Sequence, residues 1–118
     1  MAYIKMIDKR CVYFDVDETL IHWLGDGPTN REWDRLVLQD GDFKYTVAPI
    51  GVHIELMKEF KAVGWQVVVW SAGGSDHAER VIKLIGMEDY VDLIVSKPEV
   101  YVDDLKIEDQ YFKRVFKL

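Results

Sequence analysis

Four short apolar runs, each ending at or near a polar group, constrain this chain more than any other feature. Val12-Tyr13-Phe14 ends at Asp15, and Trp65 to Trp70 ends at Ser71. Val91 to Val95 ends at Ser96-Lys97-Pro98, and Val100-Tyr101-Val102 ends at Asp103-Asp104. Runs this short, rich in β-branched and aromatic residues, read as buried strands. Helical patterns alternate with them. From Pro49 to Val63, Ile50, Ile54, Met57, Phe60 and Lys61 sit at helical spacing, with Gly64 as the stop. After Ala72-Gly73-Gly74, Ser75 and Asp76 suit the N-cap of a helix through Ile85, Glu79 closes a capping box from Asp76, and Gly86 ends it. The tail from Ile107 to Leu118 carries a weak apolar stripe (Ile107, Tyr111, Val115, Leu118) and is expected to form a final helix.

Alternating strands and helices, with continuously apolar strands, argue for an α/β fold with a parallel sheet covered on both faces. Residues 20 to 48 form an insert. Gly25, Gly27, Pro28 and Asn30 break its first half. Its second half reads as a β-hairpin, Leu36-Val37-Leu38 and Phe43 to Val47, with Asp40-Gly41 in the turn. A length of 118 residues favours one domain over 1–118.

In open α/β sheets, ligands bind at the carboxyl ends of the strands. Parallel strands would therefore bring Asp15, Ser71, Lys97 and Asp103-Asp104 to one edge. That set matches what a phosphate monoester needs. A carboxylate can act as nucleophile and carry an acyl-phosphate. Mg²⁺ binds through one or two carboxylates and substrate oxygens. Donors must meet the charge that spreads over the transferring oxygens, and an acid must protonate the leaving oxygen.

Asp15-Val16-Asp17-Glu18-Thr19 resembles the first motif of the haloacid dehalogenase (HAD) superfamily, Asp-x-Asp-x-Thr after an apolar strand. Ser71, Lys97 and Asp103-Asp104 resemble its second, third and fourth motifs, in the same order, over residues 12 to about 104. The resemblance implies a Rossmann-like three-layer sandwich with a mainly parallel sheet, and a Mg²⁺-dependent phosphatase. It implies that Asp15 attacks phosphorus and that Asp17 serves as general acid and then base. Lys97 would neutralise Asp15 and the phosphate. Thr19, Ser71, Ala72 and Gly73 would bind phosphate oxygens or fix the first loop. Asp15, Asp17, Asp103 and Asp104 would bind the metal, with Asp104 in direct contact. A carboxylate at Asp17 matches the phosphatases and phosphomutases of that family rather than its dehalogenases. Glu18 departs from the pattern, which commonly has Gly there, and Ala72 stands where a polar residue or Gly is frequent. Neither gap between motifs holds a cap domain, so the expected form is capless, open to a macromolecular substrate or covered by a second copy of the chain.

The remaining features bound the partners. A net charge of −6 argues against a general nucleic-acid binder and leaves a nucleic-acid 3′-phosphate end as a substrate. Other candidate substrates are a nucleotide, a phosphoprotein and a sugar phosphate. The single cysteine, Cys11, reads as a buried core thiol. No apolar run nears the ~20 residues a membrane helix needs, and the N-terminus lacks a signal-peptide core, so a soluble cytoplasmic protein is expected. Trp65 and Trp70 are expected in the core. Trp23 and Trp33 are expected to anchor the insert, with a stacking platform for substrate as the other reading. Arg31 and Arg35 lie in the same segment. His22, His53 and His77 show no metal-ligand spacing. A phosphorylation-controlled receiver domain uses similar groups. Its acidic pair follows the first strand and its acceptor Asp a middle one, whereas here the middle strand ends in Ser71. A non-catalytic phosphate-binding module is the remaining alternative.

Overall fold

The computed structural model describes residues 10–24 and 35–106. Trp33, Arg31, the Gly and Pro breaks of the insert and the expected tail helix over 107–118 lie outside these residues.

The main sheet has three parallel strands. They are β1 (Cys11–Phe14), β5 (Gln66–Ser71) and β6 (Leu93–Ser96), in the order β1-β5-β6. Val12 pairs with Val67, Phe14 with Val69, and Val69 with Ile94. These residues therefore share one face, because side chains alternate along each strand. The same face supplies Val67 and Val69, both fully buried, to the core.

Two helices build on that core. Helix α1 (Gly51–Ala62) contributes Met57, with Ile54 and Phe60 packed around it, and the Phe60 ring meets Phe14 edge-on at 6.3 Å. Helix α2 (Ser75–Leu84) contributes Ala78, Val81 and Ile82, the i, i+3, i+4 stripe of a surface helix. Both helices thus share the core of one sheet face. Both crossovers move the same way across the sheet, and right-handed crossovers in one direction lie on one side. The described residues show this single helical layer, where the sequence suggested one on each face. Gly64 ends α1 at φ +89°, and Trp65 N–H returns to the Phe60 carbonyl at 3.1 Å, a Schellman-type stop that a β-carbon would strain.

The insert forms a second, antiparallel sheet of β2 (Ile21–Trp23), β4 (Phe43–Pro49) and β3 (Leu36–Asp40), in the order β2-β4-β3. Gly41 at φ +60° followed by Asp42 makes a two-residue hairpin turn of the II′ kind. Leu38, Val47 and Ile21 lie on one face of this sheet and join the main core. An Arg80–Asp40 ion pair at 3.6 Å links α2 to the hairpin end.

Several expectations need correction. Val100, Tyr101 and Val102 form no strand; they are 80, 51 and 99% exposed. A run of three apolar residues after Pro98-Glu99 carries too little burial to hold an extended partner. Cys11 is exposed at the start of β1, with Sγ 3.8 Å from Gln66 Oε1. Trp70 is only half-buried, on the sheet face opposite the helices, where it meets Tyr13 edge-on at 4.8 Å. Asp76 does not cap α2. Gly74 is the N-cap residue, and the Ser96 hydroxyl of the neighbouring strand accepts the Ser75 N–H at 2.9 Å. No described helix is long and apolar enough to cross a membrane.

Candidate active site

The loop after β1 owes its shape to alternation. Val16 and Leu20 are fully buried, which turns Asp15, Asp17 and Thr19 outward as half-buried groups. Three N–H groups, those of Thr19, Leu20 and Ile21, converge on the Val16 carbonyl at 3.1, 2.8 and 3.4 Å. His53 of α1 donates from Nδ1 to the Thr19 carbonyl at 2.6 Å and ties the loop to the helix. The tight turn forces Glu18 to φ +60°, the left-handed region. A residue with a β-carbon is strained at this angle, where glycine is not.

Glu18 offsets that strain with its side chain. Oε1 accepts the Trp23 N–H at 3.0 Å, and Oε2 lies 2.7 Å from His22 Nδ1. The Trp23 main-chain donor, and after it the His22 bond, hold the Glu18 carboxyl below its ordinary value, against a weak opposing effect of burial. Glu18→Ala and Glu18→Gly both lose these bonds, but only Gly also relieves the backbone. Glu18→Gly is therefore expected to be the more stable of the two by about 1 kcal/mol, read from denaturant midpoints. Equal stability would mean that the turn stores no strain.

Asp15 is held from two sides. Lys97 Nζ lies 2.9 Å from Oδ1, and the Thr19 hydroxyl donates to Oδ2 at 3.2 Å. Lys97 is aimed by its own backbone, whose N–H bonds to the Ser71 carbonyl at 2.9 Å, and its ammonium lies over the Trp70 ring at 5.6 Å. Ser71 is 1% exposed, and its hydroxyl accepts the Gly73 N–H at 3.0 Å. A β-carbon at Gly73 would meet His77 at 3.2 Å and Ser71 Oγ at 3.3 Å, so a side chain there would have to push one of them aside by a few tenths of an ångström. Ala72 and Gly73 are exposed at this turn. The carboxyl ends of all three parallel strands thus meet around Asp15, Ser71 and Lys97.

Asp17 faces the insert. Its Oδ1 accepts the Trp23 indole N–H at 3.0 Å and lies 2.9 Å from His77 Nε2. Trp23 and His77 stack, with 12° between planes and 6.2 Å between centroids. Beside them opens a depression of about 420 Å³, lined by Asp17, Asp40, Gly73, Asp76, His77 and Arg80. By spacing His77 is no metal ligand, and the sequence suggests for it only a place near the site mouth, with no assigned role. Its position three residues into α2, after the Gly-Gly turn, is the signal that marks it, because that first turn abuts the strand ends.

Asp103 and Asp104 are exposed and follow no strand, and Asp103 Oδ1 accepts the Leu105 N–H at 3.0 Å. Among the described residues, no three His, Cys, Asp or Glu side chains gather closely enough to hold a metal ion. Asp103 and Asp104 therefore do not join Asp15 and Asp17 in such a cluster.

No family model and no curated protein matches this chain. The site's chemistry rests on its own geometry.

Proposed function

We propose that the chain is a phosphomonoesterase of the HAD type, working through an aspartyl-phosphate on Asp15. One observation carries the reading. At the carboxyl end of a parallel sheet, a carboxylate about one-third exposed is bonded by a Lys on one oxygen and a Thr hydroxyl on the other, with a second carboxylate two residues on.

In the first step, an Asp15 oxygen attacks phosphorus and the ester P–O bond breaks. The leaving oxygen takes a proton from Asp17. The Trp23 indole N–H donates to Asp17 Oδ1 and His77 Nε2 lies against the same oxygen, so we assign the proton transfer to Oδ2. In the second step, water attacks the phosphoryl group and gives its proton to Asp17 Oδ2. The bond from phosphorus to Asp15 breaks, and inorganic phosphate leaves. Lys97 offsets charge on Asp15 and on the transferring oxygens throughout. Thr19 and the Ser71 turn hold the loops that present these groups.

The oxygen-only donors of Asp15 and Asp17 suit Mg²⁺, which needs only one or two carboxylates when substrate phosphate and water complete its shell. Bound there, Mg²⁺ would supply positive charge against the phosphate dianion.

Hydrolysis of p-nitrophenyl phosphate tests the reading. Turnover is expected with Mg²⁺ and is expected to vanish in excess EDTA. Equal turnover in both would remove the metal from the proposal, and none in either would count against the activity.

A further inference from the structure

The face of the insert sheet that meets the body carries an aromatic row of which the chemistry above uses only the Trp23 indole N–H. Trp23, Tyr45 and Phe43 lie on that face with the buried Val47 and Leu38, because directly paired residues of an antiparallel sheet share a side. The Trp23 and Tyr45 rings meet edge-on at 5.1 Å, and Tyr45 and Phe43 stack at 6.4 Å with 21° between planes. The face is buried at Val47 and opens along the row, with Tyr45 38% and Phe43 67% exposed. Scattered exposed apolar residues need no explanation, but a contiguous aromatic row beside a depression marks a contact surface.

Its direction identifies the occupant. The row begins at Trp23, whose indole bonds the carboxylate proposed to protonate the leaving oxygen. It therefore leads away from the same carboxylate that the leaving oxygen must approach. Flat exposed rings suit a flat, aromatic leaving group, and stacking accepts any base because every base has a π-face. Among the described residues, Asp17, Asp40 and Asp76 line the adjoining depression with a single arginine, Arg80, itself paired with Asp40. That balance opposes a nucleic-acid backbone, which needs several cations along its track. We infer that the Tyr45–Phe43 row is a nucleobase platform, and that the substrate is a nucleoside monophosphate rather than a sugar phosphate or a polynucleotide end. The inference rests on the phosphatase reading of the site but is tested without turnover.

The experiment titrates the full chain with adenosine, ribose, adenosine monophosphate and a 3′-phosphorylated oligonucleotide, by calorimetry. The variants are Phe43→Ala/Tyr45→Ala and Phe43→Leu/Tyr45→Leu, the second keeping apolar bulk without a π-face in case the first does not fold. Adenosine is expected to bind at least about tenfold more tightly than ribose, and the leucine variant to lose roughly tenfold or more of that affinity. Equal binding of adenosine and ribose, or unchanged adenosine binding in the leucine variant, overturns the platform. Tighter binding of the oligonucleotide than of adenosine monophosphate overturns the choice of a mononucleotide. Turnover of p-nitrophenyl phosphate judges the phosphatase reading separately, so the two can fail independently.

Discussion

Asp15→Asn is expected to lower phosphatase turnover by at least about 10⁴-fold, while the protein stays folded. The first figure follows from removing a covalent nucleophile, which leaves only binding and electrostatics to act. The second follows from the surroundings. Asp15 and Lys97 are each about one-third exposed, and a solvated pair of this kind contributes only ~0–1 kcal/mol. Asn also keeps an oxygen to accept the Thr19 hydroxyl. Activity and stability should therefore separate, which kinetics and a thermal melt read on the same sample. A variant that melts like the wild type and still turns over would remove Asp15 from the chemistry.

Asp17→Asn is expected to cost about 10²- to 10⁴-fold, the range for losing a positioned acid–base group. The amide oxygen can still accept the Trp23 indole N–H, so the side chain stays in place. It cannot give or take a proton at the second position. Two steps suffer, and they suffer differently. A good leaving group such as p-nitrophenolate needs little protonation, so its first step is least affected. The second step, which needs a base for water, slows regardless of substrate. A rapid burst of p-nitrophenol followed by slow turnover is the expected signature, read by stopped-flow absorbance. A uniform slowing with no burst would mean that Asp17 acts only on the leaving group or only through structure.

Much of the site was legible because its residues are local to strand ends. Asp15, Asp17 and Thr19 follow β1 within five residues, and Ser71 closes β5, so sequence spacing alone placed them at one sheet edge. Lys97 follows β6 directly, and the parallel pairing of Ser71 with Ser96 carries it to Asp15. What was not legible depends on distant pairing. The three-residue β2 exists only because β4 pairs with it, and so short a run has no periodicity of its own. Ser96 caps α2 from a neighbouring strand, a tertiary contact that displaces the local choice, Asp76. Val100 to Val102 has strand composition but forms no strand. His77 reaches Asp17 across sixty positions, which no motif spacing encodes.

The central claim is that a phosphoryl group resides on Asp15 during turnover. The direct measurement is rapid acid quench of the Mg²⁺-supplemented protein with a phosphate ester, followed by borohydride reduction and peptide mass spectrometry. The account predicts that the peptide carrying Asp15 is reduced at that residue, as an acyl-phosphate requires, and that Asp15→Asn shows no reduction anywhere. Steady turnover with no modified Asp15 under the same quench, or reduction at another carboxylate, would contradict it.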